Sequence, residues 1–168
     1  MRFFDIAVAA VICLALHGTS YADEIAHPKG DIILSVGGKI NNTNADGYAR
    51  FDMAMLEELP NVDITTSTPW HDGVVTFSGV RLSELLNYVG AEGEIITAIA
   101  LNDYEVEIPV SDAFETNVVV AIEINGKKIE VRDKGPIFIA YPYDSSEALQ
   151  TQTYYARSAW QVVELSIR

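Results

Sequence analysis

Residues 116–144 read TNVVVAIEINGKKIEVRDKGPIFIAYPYD, in which the dipeptide Asn125-Gly126 separates two apolar runs and a third run follows. Asn-Gly between alternating apolar residues is a strong signal for a two-residue hairpin turn, because both turn residues need a positive φ angle. The turn would pair apolar residues on one face and opposite charges on the other, namely Ile122 with Ile129, Val120 with Val131, and Glu123 with Lys128. The apolar pairs and the charged pair require the same strand register, so the stretch predicts an antiparallel pair of strands.

The rest of the chain has the pattern of short helices among strands. Asp52 stands after Phe51 and before an apolar run, which predicts a helix N-cap with Phe51 packed on Leu56. Leucines and a valine between 82 and 89 recur on one helical face, and Gly90 follows where a helix would end. Further runs predict strands at 32–36, 62–66, 74–77, 94–101, 104–109, 136–141 and 161–167. Strands dominate and βαβ spacing is absent, so we predict an α+β domain with a mainly antiparallel, partly mixed sheet.

The first residues have the features of a secretory signal peptide. Arg2 precedes an apolar run at 6–16 that is too short to cross a bilayer, and Ser20-Tyr21-Ala22 then offers small residues at the cleavage positions. A membrane anchor or a buried N-terminal strand is the alternative. We expect cleavage after Ala22, with 1–22 a signal peptide and 23–168 a single periplasmic or secreted domain that has no membrane span in its mature form.

Charge and cysteine content exclude several classes of protein. The formal net charge is -13 at pH 7, so nucleic acid and anionic lipid would be repelled. The single cysteine, Cys13, lies in the predicted signal peptide, so the mature chain can neither form a disulfide nor present a thiolate to a metal. The sequence also lacks a glycine-rich phosphate loop, a nucleophile elbow and zinc-ligand spacing.

Several segments, taken in order, resemble those of one known family, the sulfite-oxidase-type molybdopterin-binding oxidoreductase domain. The similar segments are FSGVRLSELLNYVGA at 77–91, NDYEVEIP at 102–109, the hairpin at 116–144 in which Asn-Gly leads into Gly-Pro, and YYARSAWQVVELSIR at 154–168. The resemblance covers residues 31–168. It is closest to short, secreted, single-domain members that carry Thr-Pro-Trp, here Thr68-Pro69-Trp70, ahead of the glycine-rich turn.

The resemblance implies a molybdenum cofactor, and it also shows where this chain departs from the family. In the family, a pterin dithiolene and one cysteine thiolate hold the metal, and the cysteine lies near the place of ITTSTPW, residues 64–70. This chain offers only hydroxyl groups there, from Thr65, Thr66, Ser67 and Thr68. A hydroxyl is a poor substitute for a soft thiolate, so the protein ligand of the metal is missing.

The export signal departs from the family in a second way. The family's cofactor is inserted in the cytoplasm, so a loaded protein needs a twin-arginine signal, whereas this chain has Arg2 and no Arg-Arg pair. We therefore predict that the fold is retained without metal or cofactor, molybdopterin being implied by resemblance alone. The protein would bind a small ligand, or a periplasmic or membrane-anchored protein partner. The alternative is an active molybdopterin-dependent oxidoreductase with a hydroxyl or water as the metal ligand.

The predicted binding region lies at residues 66–72. Trp70 could stack on a flat ligand, and His71 could titrate or bind a metal, with Thr66, Thr68 and Asp72 beside them. The alternative is an ordinary surface loop that carries a packed tryptophan.

Two further groups are candidates for ligand contact. Arg81 adjoins Gly79 at a helix start, where an arginine and free amides can together hold an anion. An ordinary salt bridge is the alternative for Arg81. For a second arginine, Arg132, the salt bridge is the favoured interpretation. Tyr154 and Tyr155 lie in a polar, turn-like stretch, so we expect at least one ring to be exposed or to contact a ligand or partner. They belong to a set that either packs in a core or lines a pocket: Tyr141, Tyr143, Tyr154, Tyr155, Arg157 and Trp160.

Overall fold

The structure, a computed structural model, describes residues 25–168. The predicted signal peptide at 1–22, its cleavage site and Cys13 lie outside the described residues. Within 25–168, no helix is both long and apolar enough to cross a membrane.

Short strands make up most of the regular structure in the described part of the chain. The strands are β1 (Leu34–Gly38), β2 (Ala49–Phe51), β3 (Asn61–Thr68), β4 (His71–Arg81), β5 (Ile95–Ala100), β6 (Glu105–Pro109), β7 (Val119–Ile124), β8 (Lys127–Lys128), β9 (Phe138–Ala140) and β10 (Val162–Ile167). The α-helices are α1 (Met53–Glu58), α2 (Leu82–Tyr88), α3 (Val110–Glu115) and α4 (Gln152–Arg157), and short 3-10 turns lie at Val131–Asp133, Tyr143–Ser145 and Glu147–Leu149.

The strands form two five-stranded sheets. The first has the order β2-β1-β10-β5-β6, and only its β1–β10 pair is parallel. The second has the order β3-β4-β7-β8, with β9 also paired to β7, and all of its pairs are antiparallel. The predicted class, α+β with a mainly antiparallel and partly mixed sheet, is therefore confirmed.

The main hydrophobic core draws on both sheets. Leu34 and Leu165 from the first sheet, Val80 and Val120 from the second, and Leu85 from α2 all belong to one buried cluster. Burying such side chains contributes roughly 1.5–3 kcal/mol each, so this shared cluster joins the two sheets into one folding unit.

The predicted cap of α1 is present. The Asp52 carboxylate accepts hydrogen bonds from the backbone N–H of Met55 at 2.9 Å and from those of Lys29 and Gly30 at 2.8 Å. These bonds, led by the one from Met55, lower the pKa of Asp52. Because one carboxylate satisfies three amides, it fixes both the start of the helix and the incoming chain.

The predicted hairpin is correct at its turn and wrong farther along. Asn125 and Gly126 both have positive φ angles, Glu123 pairs with Lys128, and the Ile129 amide donates to the Ile122 carbonyl at 3.0 Å. The expected Val120–Val131 pair does not form, because Val131 begins a 3-10 turn and Val120 pairs with Ile139 instead. The hydrogen-bonding groups on this edge of β7 pair with β9 at Val120, so they are not available to Val131.

We predict that Gly126→Val lowers the free energy of unfolding by about 1–3 kcal/mol, the cost of holding a branched residue at positive φ. The φ angle is 73°, and no atom lies within 4 Å of where the added Cβ would stand, so the cost is conformational rather than a clash. Lys127→Val, in the neighbouring strand position, is the matched control and should change stability by less than about 0.5 kcal/mol. Chemical denaturation measures both, and equal stability of the two variants would contradict the assigned turn.

Candidate functional site

A cavity of about 450 Å³ lies beside the turn between β3 and β4. We call it the aromatic cavity. Its wall comes from four separate stretches of chain: Pro69 and Trp70; Asn102 and Tyr104; Gln152, Tyr155 and Ala156; and Ser158, Ala159 and Trp160. Cavities of this size accommodate small organic ligands in other proteins.

Trp70 lies in the wall of the aromatic cavity and contacts several other aromatic rings. The Thr68 hydroxyl accepts a hydrogen bond from the Trp70 amide at 3.2 Å, which shapes the turn. The Trp70 ring lies edge-on to Tyr155, Tyr143 and Trp160, with ring centroids 6.0, 6.3 and 5.6 Å away. Edge-to-face contacts at this spacing are favourable, so the rings support one another in a fixed arrangement.

Helix α4, which forms one wall of the cavity, is anchored by a buried carboxylate. Asp112 accepts hydrogen bonds from the Tyr141 hydroxyl and the Arg157 guanidinium, each at 2.8 Å. Burial and the Asp112 charge raise the pKa of Tyr141 far above its usual value, so this phenol remains a donor. Arg157 also lies over the Tyr154 ring at 5.4 Å. Tyr154 and Arg157 therefore hold the helix in place and are not among the residues of the cavity wall.

The end of β3 is joined to the segment that follows β9. Thr66 is fully buried, and its hydroxyl accepts from the Asp144 amide at 3.0 Å while donating to the Ser67 carbonyl at 3.3 Å. The Asp144 carboxylate accepts from the Ser67 amide at 2.6 Å and from the Ser67 hydroxyl at 2.5 Å. The bonds from Ser67, first from its hydroxyl, lower the pKa of Asp144. We call this set of bonds the Asp144 clamp.

The other two hydroxyls of this stretch also have protein partners. Thr65 lies 2.9 Å from the Thr76 hydroxyl across the β3–β4 pair. The Thr68 hydroxyl lies 2.9 Å from His71 Nδ1, and burial lowers the pKa of that histidine, which favours the neutral ring at pH 7. All four side chains at the place where the resemblance implies a cysteine are therefore engaged within the protein.

The remaining predicted site residues do not line the aromatic cavity. His71 and Asp72 open strand β4 rather than lying in a loop, and Asp72 is exposed. Arg81 ends the same 11-residue strand, on the order of 30 Å away, and donates to the Asn117 side chain. Arg132 pairs with Glu130 at 2.9 Å in an exposed salt bridge, as favoured from the sequence.

Of the residues predicted from sequence, the structure brings Trp70, Tyr155 and Trp160 to the cavity wall, whereas Tyr141 and Tyr143 are buried in the core. Tyr154 and Tyr155 lie in helix α4 rather than in a turn, and only Tyr155 lines the cavity. Asn102 and Tyr104 were not predicted as site residues, because Asn102-Asp103 is typical of a tight turn and Tyr104 begins the strand predicted after it. The one signal in the sequence was that Tyr104 is a large aromatic residue next to a turn. In the structure, Tyr104 is 48% exposed.

The wall of the aromatic cavity carries no charge. None of the described residues that line it is Asp, Glu, Lys, Arg or His. Within 25–168, no three His, Cys, Asp or Glu side chains are grouped so that they could hold a metal ion. The cavity therefore favours uncharged, apolar ligands over ions.

The sequence profile of the oxidoreductase molybdopterin binding domain matches residues 42–143. The chain belongs to this family. Among solved structures it is similar to the sulfane dehydrogenase SoxCD from Paracoccus pantotrophus, with 18% identity and a TM-score of 0.62. That match covers 86% of this chain and 40% of the SoxCD chain, so this protein spans less than half of that relative's length. At such low identity the likeness shows a shared fold, and no curated protein sequence matches the chain.

The residues at the metal-ligand position do not fit the cofactor of the family. The ligand expected there is a thiolate, whereas residues 64–70 offer hydroxyls that already bond to Asp144, Thr76 and His71. The cavity beside them also presents no lysine or arginine among the described residues to neutralise a pterin phosphate. Family membership thus describes the fold of this chain, and its own side chains decide its chemistry.

We predict a specific acid dependence for the Asp144 clamp. A carboxyl whose folded pKa is lowered stabilises the protein above its ordinary pKa of 3.8, and this stability is lost as the pH falls through the lowered value. Asp144→Asn should therefore melt at a lower temperature than wild type at pH 7, and the difference should shrink below about pH 4.

Asp72→Asn is the control for this measurement, because it removes an exposed carboxylate from the β3–β4 hairpin, to which the clamp is bonded. Its melting temperature should follow that of the wild type at every pH. A difference between Asp144→Asn and wild type that is equally large at pH 7 and at pH 2.5 would mean that the charge of Asp144 is unimportant.

Proposed function

We propose that this protein is an exported, metal-free binding module that holds a small ligand in its aromatic cavity. One observation carries the proposal: the hydroxyls that replace the family's cysteine are bonded within the protein, beside a cavity with an uncharged aromatic wall. The site is thus built for non-covalent contact rather than for holding a metal.

The rigidity of the cavity supports binding. Trp70 packs on Tyr143, Tyr155 and Trp160, and the buried Asp112 anchors the helix that carries Tyr155. A wall that is already ordered loses little conformational entropy when a ligand enters, so more of the contact energy appears as affinity.

An active molybdopterin-dependent oxidoreductase with a non-cysteine ligand is the second candidate, and family membership is the observation that favours it. Thr66 or Thr68 would have to supply the bond to the metal. For Thr66 this means giving up the bond from the Asp144 amide, and leaving such a group unpaired costs about 1–3 kcal/mol. The donor atom gained would still be a hard oxygen rather than a soft sulfur.

Elemental analysis separates the two candidates. We expect protein purified from its native compartment to contain neither molybdenum nor pterin, the latter measured as the fluorescence of oxidised pterin released by denaturation. The physical reasons are the missing thiolate and the bonded hydroxyls of residues 65–68. An established molybdopterin enzyme prepared in parallel is the control for recovery, and near-stoichiometric amounts of both components would restore the oxidoreductase.

The proposed place of the protein is the periplasm or the medium, where a ligand or a protein partner from outside the cytoplasm would meet it. The support is the apolar run at 6–16 followed by Ser20-Tyr21-Ala22. We predict that N-terminal sequencing of the native protein starts at Asp23. Recovery of the exported protein with Met1 still in place would show that this segment is an anchor or part of the fold instead.

A further inference from the structure

The polar groups of the aromatic cavity are mainly hydrogen-bond donors. The Asn102 side-chain oxygen accepts from the Tyr104 amide at 3.3 Å, so the carboxamide oxygen is used within its own turn. Among hydrogen bonds between described residues, the Asn102 amide nitrogen and the Trp160 indole nitrogen have no protein acceptor. The Ser158 hydroxyl is occupied by Tyr143 and by the Tyr154 carbonyl. The side chains of Gln152 and Tyr155, which also line the cavity and have no protein hydrogen-bond partner among the described residues, can donate or accept. Free donors therefore outnumber free acceptors in the wall, which favours a ligand that supplies acceptors.

Charge restricts the ligand further. An anionic ligand would find no lysine or arginine in the described wall, and it would approach a chain with a formal net charge of -13. A cation would find no carboxylate in that wall to replace its lost hydration. Burying an unpaired charge is costly in either case, so the cavity selects a neutral molecule.

Shape and aromatic content supply the third restriction. Four of the lining side chains are aromatic, namely Trp70, Tyr104, Tyr155 and Trp160. Rings of this kind attract a planar ring more strongly than a saturated ring of the same area, because their faces and edges carry opposite partial charges.

We infer that the ligand is an uncharged planar ring compound that carries a carbonyl oxygen or a ring nitrogen as hydrogen-bond acceptor. The inference rests on the proposed function, because it names the ligand class of the same cavity. The Asn102 amide and the Trp160 indole N–H donate to the acceptor, and the ring packs against Trp70 and Tyr155.

The two tryptophans of the chain, Trp70 and Trp160, both line the cavity, so the indole N–H signals of the ¹⁵N-labelled mature protein report directly on it. Three matched probes are titrated: 2-naphthamide, which is planar and neutral; its decahydro analogue, which keeps the amide and loses the flat ring; and 2-naphthoate, which keeps the ring and gains a charge. We expect 2-naphthamide to shift both indole signals saturably, and each of the other probes to bind at least about tenfold more weakly.

A pair of variants locates the site. Tyr104→Ala removes a 48% exposed ring from the cavity wall, whereas Phe114→Ala removes a 57% exposed ring on α3 that is not part of that wall. Both changes are at exposed positions, so both variants should fold. Tyr104→Ala should weaken 2-naphthamide binding by about fivefold, and Phe114→Ala should leave it unchanged.

The outcomes separate the ligand class from the proposed function. Equal binding of the decahydro analogue, or tighter binding of 2-naphthoate, would overturn the neutral planar class while keeping the cavity as a binding site. Equal effects of the two variants would place the probe elsewhere and overturn the inference. If no probe moves either indole signal, the ligand class is wrong, whereas the proposed function fails on its own if molybdenum and pterin are found.

Discussion

The Asp144 clamp is the constraint on which both the β3–β4 hairpin and the aromatic cavity depend. It joins the exposed edge of β3 to the 3-10 turn Tyr143–Ser145, through bonds to Ser67 and to the buried Thr66. Trp70 lies just beyond one end of these bonds, and Tyr143, which packs on Trp70, adjoins the other. The clamp therefore sets the position of the aromatic wall, and it engages the hydroxyls of Thr66 and Ser67.

A second carboxylate, that of the buried Asp112, holds the cavity wall from the other side. Asp112 holds Tyr141 and Arg157 at once, so helix α4 is fixed although it is only six residues long. A helix of that length is not stable by itself in water, which means that tertiary contacts define it. The two carboxylates together hold the wall of the cavity in place through hydrogen bonds between distant parts of the chain.

The sequence predicts best those structural features that neighbouring residues determine. The turn at Asn125-Gly126, the Asp52 cap and helix α2 follow from neighbouring residues, and each is present. The sequence predicted neither helix α4 nor the pairing of Val120 with Ile139 in place of Val131. In each case contacts with distant residues decide the conformation. The same holds for the site: Trp70 and Tyr155 could be suggested from their residue type, whereas Asn102 and Tyr104 reach the cavity only through the fold.

Membership of the molybdopterin family and the proposed metal-free site are compatible, because a fold and its chemistry are maintained by different residues. Anomalous diffraction at the molybdenum edge, from crystals of protein purified from its native compartment, tests this separation most directly. We expect no anomalous peak near Thr66. We also expect the Thr66 hydroxyl to lie close to 3.0 Å from the Asp144 amide nitrogen. A molybdenum peak within bonding distance of a hydroxyl of residues 65–68, with the Asp144 amide displaced, would contradict the metal-free binding module.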